Sequence, residues 1–359
     1  MFLQGRIPRI TALLYTSPHS VYVPGFTSDF LIRPSTLVNR EFGMVIRKRF
    51  VVRALSALLL GAMALPACGG AQRDSALTTD QGKLTAATQE GDFATTMQAA
   101  DAAWAKRAEK ASLMSAIGEW EKAAQLPTPD LAPEARAAVI ADINERLTRA
   151  YYFLGDSHLR VEGASDEEIM AVFEKGVTAA ERAIALRDPE FAAKVAADKN
   201  AWQGAVKSAS PTAAPALYWY ATNLGKWALL EGIATILSRK DDIKVTMDWI
   251  VANDPGFFYG APHRYFGTYH TKVPLGGGNP EASKASFENA IQIAPNYLAT
   301  KVLMAENYAV LVGERELFES LLNEVVNTPS NVDPEIEPEN AFEKMKAKKL
   351  LEEADEYFY

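Results

Sequence analysis

The stretch Phe258–Tyr297 constrains this chain more than any other. It reads as helix, glycine-rich turn, helix, stop. Pro274 removes an amide donor and Gly276-Gly277-Gly278 admits positive φ, so a helix running from His263 ends at Lys272. Gly260-Ala261-Pro262 before it reads as an extended approach. A second helix starts at Asn279-Pro280, with Asn as N-cap and Pro at the first helical position, and stops at Pro295. Its apolar side, Phe287, Ala290, Ile291 and Ala294, is spaced by threes and fours. One such hairpin cannot bury both faces, so it requires neighbours.

The remaining chain supplies them. Phe93, Met97, Ala100, Trp104, Ala108, Ala111 and Met114 recur at helical spacing, and Pro133 opens a helix through Ile143, Tyr151 and Leu154 to His158. Ser165 with Glu168 forms a capping box for a helix reaching Leu186. Ala216–Leu237, Asp241–Ala252, Leu298–Val312 and Glu314–Asn327 follow with the same periodicity. No segment alternates as a strand does. The 48% hydrophobic content is ample for a core. The fold class is all-α, built from antiparallel helix-pair repeats.

The front of the chain has a different character. Residues 1–67 hold eight Lys or Arg against two Asp or Glu, leaving 29 basic and 43 acidic residues for the rest. That acidic balance opposes nucleic acid as a partner. Met44 opens a basic segment through Arg53, and Ala54–Ala64 is an apolar run too short to span a membrane, so residues 44–67 read as a signal peptide. Leu65-Pro66-Ala67-Cys68 resembles the lipobox of bacterial lipoproteins, which makes Cys68, the only cysteine, the expected lipidation site and first mature residue. Residues 1–43 lack periodicity and read as a start-site artefact or disordered segment upstream of Met44. Residues 68–88 read as a flexible tether, 89–329 as the helical-repeat domain, and 330–359 as an acidic tail with a C-terminal helix, taken as a solvated cap.

Internal repetition runs through the domain. Leu154-Gly155, Leu224-Gly225 and Phe266-Gly267 place an apolar–glycine pair in three first-helices, where glycine permits close helix approach. Pro189, Pro255, Pro295 and Pro329 end four second-helices. This resembles the degenerate tetratricopeptide (TPR) pattern, giving a TPR-like α-solenoid or curved bundle. Tyr259-Gly260, His263–Gly267, Tyr269, Lys272-Val273-Pro274, the triglycine, Phe287-Glu288-Asn289-Ala290, Tyr297 and Lys301–Ala309 together resemble the T component associated with tripartite ATP-independent periplasmic (TRAP) transporters. The resemblance covers Ala100 to Pro329. Asn279 stands where that family more often has Asp.

The resemblance implies a membrane-anchored periplasmic lipoprotein of TPR-like fold. It would partner the periplasmic substrate-binding protein of a TRAP-type solute transporter, with a homotrimer as precedent. The alternative is a generic TPR lipoprotein scaffold for outer-membrane or pilus assembly. Gly69, where some bacteria use aspartate as an inner-membrane retention cue, points to the outer membrane.

Enzyme chemistry finds no support in the residue pattern. No G-x-S-x-G elbow, H-E-x-x-H helix or phosphate loop is present, so the chain reads as a non-enzyme without cofactor or metal. His263 and His270 lie about two turns apart on one helix face, but two imidazoles are too few for a zinc site, and with His158 they read as packing histidines. The aromatics are more suggestive. The expected ligand- or partner-binding residues are Tyr259, His263, Arg264, Tyr265, Tyr269 and His270, with Trp219 and Trp227, offering a groove for a small apolar or organic ligand or a partner helix. Tyr218, Trp219 and Tyr220 are consecutive, so at least one is expected to face solvent, ligand or a neighbouring subunit.

Overall fold

Proline sets the register of the helix pairs. In a computed structural model that describes residues 73–272 and 278–358, four helices end two residues ahead of a proline, at Arg187, Asn253, Ile293 and Asn327. The residue before proline is driven out of the α region by the pyrrolidine ring. Asp188, Asp254 and Ala294 accordingly share one conformation, with φ of -142°, -149° and -142° and ψ near 80°. Each still donates its amide to the fourth residue back, closing the helix before the chain turns.

The described chain is all-α, with no strand among the described residues. Helices α1 (Phe93–Trp104) and α2 (Lys110–Ala123) pair first. Then α3 (Pro133–Phe153) pairs with α4 (Asp166–Arg187), and α5 (Ala214–Glu231) with α6 (Ile233–Asn253). Next come α7 (Phe257–Lys272) with α8 (Pro280–Ile293) and α9 (Ala299–Leu303) leading to α10 (Arg315–Asn327). Helix α11 (Glu337–Glu352) completes the set. Short helices Pro189–Ala197 and Trp202–Lys207 link α4 to α5. The expected caps form: Ser165 and Glu168 close a capping box, and Asn279 accepts from the Ala282 amide at 3.0 Å.

Buried side chains gather in three clusters. One joins α1–α4, a second joins α4–α7, and a third joins α8–α11. The tail belongs to two of them: Phe342 packs in the first, whereas Ala347, Leu350 and Ala354 pack in the third. The tail helix is therefore no solvated cap. Its Glu339, Asn340 and Glu343 are buried, because α11 lies back across α3 and its extension instead of pointing away from the stack.

Several local features depart from expectation. The Gly260 approach is not extended: Phe258, Tyr259 and Gly260 are left-handed, with φ of 40°, 61° and 71°. The helix after α5 begins at Ile233 rather than Asp241, since Gly232, at φ 127°, breaks the chain earlier. Tyr218, Trp219 and Tyr220 are all buried, each under 9% exposed, because α5 is enclosed by α3, α4, α6 and α7 rather than presenting one open face. Residues 73–85, within the stretch read as tether, dock on the domain through Arg73 and the short helix Gln81–Thr85. The signal segment, Cys68 and the turn at Val273–Gly277 lie outside the described residues.

The three apolar–glycine pairs do not act alike. A Cβ on Gly267 would sit 2.6 Å from the Phe287 ring, and one on Gly155 2.9 Å from Phe173. At Gly225 the nearest atom would be Ile243 Cδ1, at 3.8 Å. Gly267→Ala should thus cost about 1–3 kcal/mol through overpacking. Gly225→Ala should be neutral or stabilising by up to about 1 kcal/mol through helix propensity. Urea unfolding of the two variants beside the wild type checks the contrast.

Candidate functional site

The site is built where α7 enters its first turn. Phe258 and Tyr259 are the only non-glycine residues with positive φ among those described, a conformation costing on the order of 1 kcal/mol each and retained only where neighbours over-determine it. Arg264 supplies the restraint. Its guanidinium donates to the carbonyl oxygens of Tyr259 at 2.8 Å and Phe258 at 3.3 Å and to Thr300 Oγ1 at 3.3 Å, and it lies over the Tyr297 ring at 4.2 Å. Gly260 completes the turn: a Cβ there would meet Ala290 Cα at 3.1 Å, so the backbone itself packs on α8.

The turn projects two aromatic rings. Tyr259 stacks on Tyr297 with centroids 5.1 Å apart, and Phe258 reaches Trp219 at 4.9 Å, which in turn meets Tyr152 at 5.4 Å. Arg149 from α3 covers Phe258 at 4.9 Å. Tyr259 remains half-buried, and burial, with the carboxylates of Glu335 and Asp333 nearby, pushes its hydroxyl up to about 12.

A second aromatic group sits further along α7. Tyr265 and Tyr269 stack 5.8 Å apart, Phe266 packs edge-on against Tyr265, and His270 lies 6.0 Å from Phe266. His263, Tyr265, Tyr269 and His270 are all half-buried. Burial depresses the basicity of both imidazoles, and Lys244 adds to the effect at His270, so both are neutral at pH 7. These four residues, with Tyr259, are the half-open part of the expected set. Arg264, Trp219 and Trp227 are buried instead and work from within the fold. His158 is a packing histidine: it donates from Nε2 to the Arg107 carbonyl oxygen at 2.8 Å, edge-on between Phe153 and Phe342.

Sequence reasoning missed a charged junction next to this turn. Helix α3 continues into a π segment, Leu154–Leu159, which places Asp156 inward. Such bulges recur at functional sites. A second π segment, Met304–Ala309, follows α9 in the same way, and each run ends at a left-handed glycine, Gly163 or Gly313. Asp156 accepts from Lys226 at 2.5 Å and Lys346 at 3.1 Å, with Arg160 at 3.6 Å. Burial alone would raise its carboxyl, but Lys226, Lys346 and Arg160 together hold it far below the usual carboxylate range. Lys346 also pairs with Glu343 at 2.8 Å, and the two carboxylates outweigh burial and push its ammonium up. Nearby, Glu339 takes a fork from Arg107, at 2.7 and 3.2 Å, and a third bond from Arg149 at 3.0 Å. Asp156, Lys226 and the α11 residues Glu339 and Lys346 come from three distant parts of the sequence, and no local spacing signals their meeting.

The arrangement is therefore an aromatic turn held by Arg264 beside a paired-charge junction, in a domain made of antiparallel helix pairs. Among the described residues no group of three or more His, Cys, Asp or Glu is placed to hold a metal ion, and no helix is long and apolar enough to cross a membrane. These features define an all-α protein of antiparallel helix pairs, with its distinctive side chains at helix-packing surfaces. The sequence profile of the TRAP transporter T-component family matches residues 154–358, more than half of the chain, and the chain belongs to that family. This is a family of transporter components rather than of enzymes. The match begins later than the resemblance read from sequence and runs past Pro329 through α11. No match was found among curated proteins.

Asp156→Ala should destabilise the protein by about 3 kcal/mol at pH 7, because the half-buried Lys226 ammonium loses its carboxylate partner and Lys346 keeps only Glu343. The Asp156 pKa is depressed in the folded state, so its contribution is fully present above the unfolded value of about 4 and is lost as pH falls below it. Urea midpoints of wild type and variant, measured from pH 7 to pH 3, should show a gap that holds to about pH 4 and then narrows.

Proposed function

We propose that this chain is the accessory T component of a TRAP-type solute uptake system, lipid-anchored at Cys68 in the periplasm, and that it binds the system's periplasmic substrate-binding protein. Family membership carries the reading. The TPR-like arrangement of helix pairs fits a role in protein contact, and the acidic mature chain argues for a protein or small-molecule partner over nucleic acid. Gly69 after the cysteine favours the outer membrane.

The contact surface in this reading is the half-open side of α7. Tyr259, His263, Tyr265, Tyr269 and His270 combine apolar rings with polar tips, the chemistry enriched at interface anchors. Two neutral imidazoles between the rings can donate or accept a hydrogen bond without desolvating a charge. The same surface suits a small apolar or organic ligand passed between the partners. Arg264, Trp219 and Trp227 support it from below.

Pull-down from detergent extracts with mass spectrometry should return a periplasmic substrate-binding protein. The double variant Tyr265→Ala, Tyr269→Ala should abolish that capture, with the helical circular-dichroism signal unchanged. Capture of the same partner at wild-type strength would move the contact surface elsewhere on the domain. Cys68→Ala should release the protein from membranes into the soluble periplasmic fraction.

A further inference from the structure

We propose that residues 73–85 are a strap clamped to α4, which, with the chain anchored at Cys68, holds the Ala171–Thr178 side of that helix against the membrane surface. The proposal rests on the lipid-anchor reading of Cys68 and adds to it an orientation for the domain.

Glu181 is the receptor of the clamp. It lies in α4 at 1% exposure, and its hydrogen bonds come from residues 73–76. Arg73 forks onto it through Nη1 at 2.7 Å and Nη2 at 3.1 Å, Ser75 donates its hydroxyl at 3.0 Å, and the Ala76 amide donates at 2.7 Å. Arg73 Nη2 also donates to Thr178 Oγ1 at 3.1 Å. Further on, Leu77 packs against the central core, Gln81 Nε2 donates to the Ala185 carbonyl oxygen at 2.8 Å, and Arg136 donates to that of Thr85 at 2.6 Å. The strap thus follows α4 from Thr178 to Ala185. A forked, desolvated pair accepts one geometry and rejects others, so the chain leaves the domain at a fixed point.

Chain length turns that fixed point into a distance. From Arg73 back to Cys68 is five residue steps, which reach at most about 18 Å. An undocked tether from Cys68 to Thr88 would reach about 70 Å at full extension. Acyl chains on Cys68 lie in the bilayer, so the clamp keeps the neighbouring α4 surface within about 18 Å of the headgroups. The exposed residues there, Ala171, Glu174, Lys175 and Arg182, carry both signs of charge. Orientation therefore comes from the strap and not from attraction to anionic lipid.

The test uses the lipidated protein in phosphatidylcholine vesicles containing an acceptor-labelled lipid. Acylated Cys68 does not react with a thiol dye, so one introduced cysteine reports one position. Ala171→Cys lies beside the strap, whereas Ala285→Cys is exposed on α8, which does not pack on α4. Energy transfer from position 171 should exceed that from 285 by about twofold or more, and Glu181→Ala should erase the difference. Equal transfer from the two positions, or a difference that survives Glu181→Ala, overturns the proposal. The clamp is read separately in the full chain carrying Cys68→Ala. Tryptic cleavage after Arg73, followed by mass, should be about tenfold or more faster with Glu181→Ala, because cleavage follows the undocked population. Unchanged cleavage also overturns it. Should the clamp respond while the wild type carries no acyl mass on Cys68, the anchor reading fails, and the membrane orientation with it.

Discussion

The ion pairs between α11 and the π segment after α3 decide how the rest of this molecule is arranged. A stack of helix pairs in which each touches only its neighbours leaves its two ends apart. Here Lys346 and Glu339 return from the end of the chain to Asp156, Arg107 and Arg149, and Phe342 enters the first core cluster between Phe153 and His158. Paired charges at this depth add little net stability over an apolar contact of the same shape, but a single unmatched partner is costly. They act as a register: α11 fits in one position, with Ala347, Leu350 and Ala354 completing the last cluster at the same time.

That closure places the aromatic turn. Glu335 and Asp333, just ahead of α11, face Tyr259, while Arg149 bridges Glu339 and the Phe258 ring. The strained turn is thus held from two sides, by Arg264 and Tyr297 of the C-terminal half and by Arg149 of the N-terminal half. The packing divides α7 along its length: its inner rings join the two halves, whereas Tyr265, Tyr269 and His270 are left half-open.

The sequence was legible wherever a residue acts through its own backbone. Proline fixed four helix ends, Ser165 and Asn279 fixed two helix starts, and Gly267 marked a close approach that Phe287 fills. It was misleading wherever the outcome depended on what surrounds a helix. Tyr218, Trp219 and Tyr220 cannot share one face, which was read as exposure of at least one ring; α5 instead has neighbours all round and buries the three. Gly225 carries the same apolar–glycine signature as Gly267, yet no ring approaches it. Of the candidate site, the residues expected on α7 came from their aromatic spacing, and five of them are half-open in the fold. The junction at Asp156 was not, because a π insertion changes which way a side chain points without changing its residue type.

By itself, then, the sequence determined an all-α chain, its helix pairs and its membership of a transporter-component family, because helical period, proline stops and caps are local and survive in any surroundings. Only the tertiary structure decided that the acidic tail is a buried closing element, that Arg264 is buried beneath the turn it holds, and that Arg73 ties the front of the domain to Glu181. The first and last of these are pairings of charges far apart in the chain, whereas Arg264 joins backbone carbonyls of its own turn to Thr300 and Tyr297. Desolvation makes such a pairing worthwhile only in the one geometry where both partners meet, and no local pattern records where that is.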